Sequence, residues 1–256
     1  MFPSPPVAIV GWGMTGKATS CLFDYVDRYD VDDPYDKCHD FIIFCLPTPT
    51  KEGKQDISII EDRLKEILKF SLDGEAPLPT IILRSTVLPG TTDKLIEKYK
   101  MDIVFVPEFL TESTAVEDAL NPEFLVIGAR DILARRKVAG LFYDSKIVRT
   151  KIIMCSAVTA ELIKYSMNSF FALKVIMANQ LWDVAKEIGA NYDQVREALE
   201  SHKWGSKNGW NVWHNQKRGF GGKCLPKDLE AFTDKFDLPL LETVQEINKG
   251  LIKKSK

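Results

Sequence analysis

The sequence predicts an α/β fold in which a doubly wound, mostly parallel N-terminal sheet is followed by a long connecting helix and a small α-helical second domain. Three observations predict it. Short apolar, β-branched runs at 7–10, 41–46, 80–84, 103–106 and 124–127 alternate with segments of helical apolar spacing, the mark of βαβ units. The first run opens directly into a glycine-patterned turn, Gly11-Trp12-Gly13-Met14-Thr15-Gly16. Residues 156–188 contain neither glycine nor proline, which predicts one helix of about 30 residues and about 45 Å. These features divide the chain into 1–152 and 153–256.

Taken in order, 7–10 reads as a strand and 17–23 as a helix, with G-x-G-x-x-G between them. Strand, glycine turn and helix together are the fingerprint of a Rossmann-like dinucleotide site. Gly11 makes the turn, Gly13 lets a pyrophosphate approach the backbone, with Met14 and Thr15 beside it, and Gly16 packs helix on strand. The fingerprint asks for an acid about 20 residues on to bind the adenosine ribose. Asp30 stands 19 residues after Gly11, at the end of the run 25–29. A carboxylate there selects NAD over NADP, since a 2′-phosphate would meet like charge; the competing reading makes Asp27, Asp30, Asp32 and Asp33 a solvated acidic loop. The next strand, 41–46, follows almost at once. Helical spacing at Ile57, Ile60, Leu64, Ile67 and Leu68 leads to the strand 80–84, a helix at 91–99, and strands at 103–106, 124–127 and 146–149.

Ser156 is the candidate N-cap of the long helix. Lys164 and Asn168, four residues apart, share a face, and a lysine beside an amide on a packable face is costly to bury without purpose. Phe170, Leu173, Ile176, Met177 and Leu181 form a second apolar face, more than one partner helix needs, which points to a helix-mediated homodimer. Helices near 192–199, 227–236 and 239–251 make up the second domain. Between the first two lies the irregular stretch 201–223, with Trp204, Trp210 and Trp213 among Lys203, Lys207, Lys217 and Arg218, a combination suited to a base and a diphosphate or to an unspecific basic loop. It ends in Gly219-Phe220-Gly221-Gly222-Lys223-Cys224-Leu225-Pro226-Lys227-Asp228. A thiol between Lys223 and Lys227 at a helix start has its thiolate favoured, so Cys224 is the candidate nucleophile; the alternative is a small packed cysteine after a glycine loop.

The remaining composition restricts the partners. Lys and Arg number 34 against 36 Asp and Glu, a net charge of −2, so there is no global field for nucleic acid or membrane. Cys21, Cys38, Cys45, Cys155 and Cys224 are odd in number and scattered, and His39, His202 and His214 lack ligand spacing, which argues against a disulfide framework or a metal site. Neither a leader nor a membrane-length apolar run stands out, and a cytosolic protein is the expectation.

The decapeptide 219–228 resembles the catalytic loop of the UDP-glucose/GDP-mannose dehydrogenase family, G-[FY]-G-G-x-C-[FL]-P-K-D. Further segments resemble family motifs in order: Pro47-Thr48-Pro49 (V-P-T-P), Arg84-Ser85-Thr86-Val87-Leu88-Pro89-Gly90-Thr91 (K-S-T-V-x-P-G-T), Pro107-Glu108-Phe109-Leu110-Thr111-Glu112 (N-P-E-F-L-R-E) and Lys164-Tyr165 with Asn168 and Phe170 (K-Y-x-x-N-x-F). The resemblance implies NAD as cofactor, a nucleotide sugar as substrate, and oxidation of its C6 alcohol through thiohemiacetal and thioester on Cys224. It further implies that Lys164 and Asn168 stabilise the oxyanion, that Glu112 with Thr86 positions water, and that Asp228 orients that water or Lys164. Thr48, Ser85, Thr86 and Lys227 would touch cofactor; Glu108, Phe109, Leu110, Trp213, Lys217 and Gly221 would line the substrate site. The sequence departs from the family after Asp30, where it is trimmed, at Thr111, which replaces an arginine, and at Gln216-Lys217-Arg218. It also stops before the family's third domain. Three other readings stand: a 3-hydroxyacid-type dehydrogenase, a non-catalytic NAD-binding protein, and a chain that needs a separately encoded partner.

Overall fold

The computed structural model describes residues 7–74, 76–214, 216–222 and 224–254. In chain order its elements are β1 (Val7–Val10), α1 (Met14–Ser20), β2 (Asp27–Tyr29), β3 (Phe41–Phe44), β4 (Thr50–Lys51), β5 (Lys54–Gln55), α2 (Ser58–Asp73), β6 (Thr80–Leu83), α3 (Thr91–Tyr99), β7 (Ile103–Phe105), a single 3-10 turn Glu112–Thr114, α4 (Ala115–Leu120), β8 (Phe124–Gly128), α5 (Ile132–Tyr143), β9 (Lys151–Cys155), α6 (Ala157–Ile188), α7 (Tyr192–Ser201), β10 (Trp213–His214), β11 (Lys217–Arg218), α8 (Leu225–Lys235) and α9 (Pro239–Lys254). Two compact units result, 1–49 with 55–164 and 50–54 with 165–256.

The first unit is built on a seven-stranded sheet of order β2-β1-β3-β6-β7-β8-β9, parallel throughout except where β8 meets β7. Its central strands are buried on both faces, as a sheet wrapped by helices requires. Alternate residues feed two cores. Ala8, Val10, Ile42, Phe44, Ile81 and Leu83 pack with α2 and α3, while Val7, Ile9, Phe41, Ile43, Ile82 and Val104 pack with α1, α4 and α5. The strand order places β1 between β2 and β3, so the chain leaves β1 to one side and returns to the other, opening a crevice beyond the carboxyl ends of these strands.

The last strand differs from expectation. It is Lys151–Cys155, not 146–149. The amides of Lys146 and Val148 are taken by the carbonyls of Leu22 and of Leu120 at the end of α4, and the five-residue register Phe124↔Lys151 to Gly128↔Cys155 uses the later segment. Ser156 caps α6 as expected, its Oγ accepting from the Thr159 amide at 3.3 Å. Helix α6 runs for 32 residues, about 48 Å at the usual rise.

The second unit packs the C-terminal part of α6 against α7, α8 and α9. One core joins Ala172, Val175 and Ile176 to Phe220, Leu229, Val244 and Leu251; another joins Ala178 and Ala185 to Tyr192, Trp210 and Val212. The stretch expected to be irregular contains the ribbon β10–β11. Helix α8 begins at Leu225, two residues earlier than expected. Of the second apolar face on α6, Phe170 and Met177 are exposed, whereas Ile176 is buried and Leu173 and Leu181 pack against the cores.

Candidate active site

In the first unit the glycine turn has the geometry a dinucleotide needs. Gly11 has φ +98°, and a Cβ there would lie 2.4 Å from the Cys45 carbonyl oxygen. A Cβ on Gly16 would lie 2.0 Å from the Gly11 carbonyl oxygen, so α1 can pack this closely on β1 only with glycine. Around Gly13, by contrast, nothing stands within 4 Å. Met14 and Thr15 open α1 at this point. Asp30 follows β2 directly and is exposed, with Oδ1 accepting from the amides of Val31 at 2.9 Å and Trp12 at 3.4 Å. A carboxylate at the end of the second strand, a bare backbone at the turn and a strand-order reversal between them fit an NAD molecule's ribose and diphosphate.

At the ends of β3 and β6 the threonine and serine residues are committed to the backbone. Thr48 is buried, and its Oγ1 donates to the Thr86 carbonyl at 2.8 Å. Ser85 Oγ accepts from the Leu46 amide at 2.8 Å. These bonds join the two strand ends, leaving half-buried Thr86 on the rim. Cys45 sits beside them, and burial pushes its thiol up to about 11, so it stays neutral.

After β7, Glu108 meets Lys164. The lysine donates to the Glu108 carbonyl at 2.5 Å, approaches its carboxylate at 3.4 Å and lies 5.2 Å from the centre of the Phe109 ring. Burial opposes ionisation of Glu108, but the charge of Lys164, the Leu110 amide and the charge of Arg84 outweigh it and hold the carboxyl below its ordinary value. Glu112 lies in the exposed 3-10 turn. Thr111 gives its amide to Asp118 at 2.8 Å.

In the second unit Asp228 is almost wholly buried and accepts from Asn168 Nδ2 at 2.7 Å and Lys227 Nζ at 2.5 Å. Cys224 is exposed and occupies the N-cap of α8, one turn before Asp228, whose amide donates to the Cys224 carbonyl at 3.0 Å. The glycine loop before it is anchored by Asn248, which accepts from the Phe220 amide at 2.8 Å and donates to its carbonyl at 2.9 Å. Gly219 has φ +79°, and a Cβ there would lie 2.3 Å from Asn248 Oδ1. Gly221 has open space around it. Lys223, expected to favour the thiolate, lies outside the described residues. Trp213 stacks edge-on against Trp182 at 5.8 Å, on a cavity of about 580 Å³ that Lys186, Tyr192 and Arg196 also line. Lys217 pairs with His214 across the ribbon.

Among the described residues, four charged residues to which the sequence assigned no role are buried. Glu161 accepts from the amides of Gly90 and Thr92 and from Thr92 Oγ1, and burial raises its carboxyl. Arg84 is buried with Nε and Nη1 unmatched, and Lys174 gives its ammonium to Ser206 and Asn208. Arg63 is the fourth. For Arg63, Glu161 and Lys174 the signal in the sequence was a charged residue on an otherwise apolar helix face, which surface positions share, while Arg84 directly follows β6. Among the described residues no His, Cys, Asp or Glu cluster suits a metal ion, and no helix is long and apolar enough to cross a membrane.

The sheet order, the glycine turn and Asp30 define the first unit as a Rossmann-type dinucleotide-binding unit. Residues 25–145 match the NAD binding domain, and 158–250 the central domain, of the UDP-glucose/GDP-mannose dehydrogenase family. The chain belongs to that family, and NAD is the cofactor its first unit takes. It is 29% identical over 221 residues to a UDP-glucose 6-dehydrogenase of Rickettsia typhi, covering 82% of this chain and 49% of that protein. It is 32% identical over 228 residues to a GDP-mannose 6-dehydrogenase of Pseudomonas savastanoi pv. phaseolicola, covering 82% and 50%. The chain thus spans about half the length of the curated relatives it matches. Among solved structures, a UDP-glucose dehydrogenase from Pyrobaculum islandicum shares the fold at a TM-score of 0.83 and 23% identity, over 97% of this chain and 69% of that one.

Proposed function

We propose that this chain oxidises the C6 primary alcohol of a nucleotide sugar to the carboxylate, with Cys224 as covalent nucleophile. The observation that carries the reading is the exposed Cys224 thiol at the head of α8, one turn from a buried Asp228 that holds Asn168. NAD supplies the oxidising power, one hydride acceptance in each of two steps. In the first, the C6 hydroxyl loses its proton and the carbon its hydride, leaving an aldehyde. The Cys224 thiolate then adds to the aldehyde carbon, forming a C–S bond and an oxyanion that is protonated to the thiohemiacetal. Loss of the second hydride and the hydroxyl proton gives a thioester. Water adds to it, the C–S bond breaks, and carboxylate leaves as the thiol is restored. Each oxidation and addition places charge on the substrate oxygen, and Lys164 and Asn168 are the donors assigned to it. Glu108 holds the Lys164 ammonium and Asp228 aims the Asn168 amide, while Glu112 with Thr86 is assigned to the attacking water. Gly13, Asp30, Thr48, Ser85 and Lys227 are assigned to the cofactor, and Phe109, Leu110, Trp213, Lys217 and Gly221 to the sugar nucleotide. Exposed Phe170 and Met177 favour a homodimer through α6.

The test is NADH formation across UDP-glucose, UDP-N-acetyl sugars and GDP-mannose, counted per substrate consumed. Two NADH per sugar support the reading. One NADH points to a simple alcohol dehydrogenase of the 3-hydroxyacid type, and NAD binding without turnover points to a binding protein or a chain that needs a partner.

A further inference from the structure

The connection from β2 to β3 crosses over β1 in residues 30–40 without a helix, although such crossovers between parallel strands are usually helical. The loop that begins with Asp30 therefore lacks the support a following helix would give. Its support comes from α2. Arg63 is 7% exposed, and its guanidinium donates to the carbonyls of Asp30 at 2.8 Å, of Val31, and of Asp33 at 2.6 Å. The same group binds Glu66 Oε2 at 2.5 Å, and Glu66 Oε1 accepts from the Tyr35 amide at 2.9 Å. Asp33 in turn accepts the Asp30 amide at 2.7 Å. One guanidinium and one carboxylate thus fasten three carbonyls and an amide of a single turn, a fan of acceptors that a lysine's point charge cannot match.

We propose that Arg63, braced by Glu66, is the positioning residue of the adenosine-ribose site: it sets where Asp30 presents its carboxylate, and so governs both NAD affinity and discrimination against NADP. The inference rests on the reading of Asp30 as the ribose ligand. Arg63 acts on the backbone beneath Asp30, so its effect passes entirely through that side chain.

The experiment is a double-mutant cycle read by binding, with no turnover required. Dissociation constants for NAD, NADP and AMP are measured by fluorescence titration for wild type, Arg63→Met, Asp30→Ala and the double variant, with Arg63→Lys and Glu66→Gln alongside. Arg63→Met is expected to weaken NAD and AMP by about tenfold, the affinity carried by one charge-assisted hydrogen bond, and to narrow the NAD-to-NADP ratio. Arg63→Lys should recover part of the loss, and in the Asp30→Ala background the Arg63 effect should vanish. Should Arg63→Met fail to fold, Glu66→Gln, which is half exposed and leaves the guanidinium in place, carries the same test with a smaller shift. An Arg63→Met variant with a lowered Tm but unchanged NAD affinity and NAD-to-NADP ratio overturns the inference alone. Equal losses with and without Asp30 overturn it as well. An Asp30→Ala variant that binds NAD as the wild type does overturns the ribose assignment and this inference together.

Discussion

Replacing Asp228 by alanine tests whether the buried carboxylate does more than fill space. It is 1% exposed and accepts two donors, the Asn168 amide at 2.7 Å and the Lys227 ammonium at 2.5 Å. Losing the acceptor strands the half-buried Asn168 amide, at about 1–2 kcal/mol. The Lys227 side chain is 23% exposed and can turn to water, so its share is at most about 1 kcal/mol. The sum is about 2 kcal/mol, and for a chain of this size it should lower Tm by about 4–8 °C. Asp228→Asn keeps the shape but offers one acceptor oxygen to two donors, and should fall between the variant and the wild type. Thermal unfolding followed by circular dichroism gives the stability, and NADH release gives the rate. Because Asn168 loses the group that aims it, kcat should fall further than NAD affinity in both variants. An unchanged Tm together with an unchanged kcat would refute the reasoning, since a wholly buried acceptor of two donors could then be removed without consequence.

Lys164→Met should lower kcat by about 10²–10³ while changing NAD affinity little, because its charge matters most as the substrate oxygen becomes anionic; steady-state kinetics beside NAD titration separate the two. Glu108 has a folded value below its ordinary 4.5, so its ionisation contributes stability that is present above that value and lost as pH falls through the depressed one. Denaturant titrations of wild type and Glu108→Gln should therefore differ most at neutral pH and converge as pH falls through the depressed value.

Local pattern revealed the parts of this protein that local pattern builds. Val7 to Gly16 carries strand, turn and helix in one stretch, and the glycines are needed where a Cβ would strike a neighbouring carbonyl. The long helix was legible because nothing between 156 and 188 breaks it. The edge strand was displaced because 146–149 and 151–155 are both apolar enough to pair, and the choice falls to the register with β8 and to the carbonyls of Leu22 and Leu120. The Cys224 loop was recognised as a motif, yet its anchor Asn248 sits 28 residues from Phe220 and meets it only through the packing of α9. Glu161 and Arg63 were illegible for the same reason: each caps or clamps backbone far away in sequence, at Gly90 and at Asp30. Asp228 was expected to orient water or Lys164, and the side-chain bonds the structure gives it are to Asn168 and Lys227.

The covalent role of Cys224 is the central claim, and the most direct measurement is mass spectrometry of the protein after a single turnover with NAD and a sugar nucleotide that supports NADH formation. The wild type should carry a sugar acyl adduct on the peptide containing Cys224 when quenched early, and should release two NADH per sugar. Cys224→Ser should bind NAD normally, keep its Tm, and lose completed turnover, with any residual reaction stopping at the aldehyde or a hydroxyl adduct. Full activity in Cys224→Ser with two NADH per sugar, and no adduct on the wild-type peptide, would contradict the account.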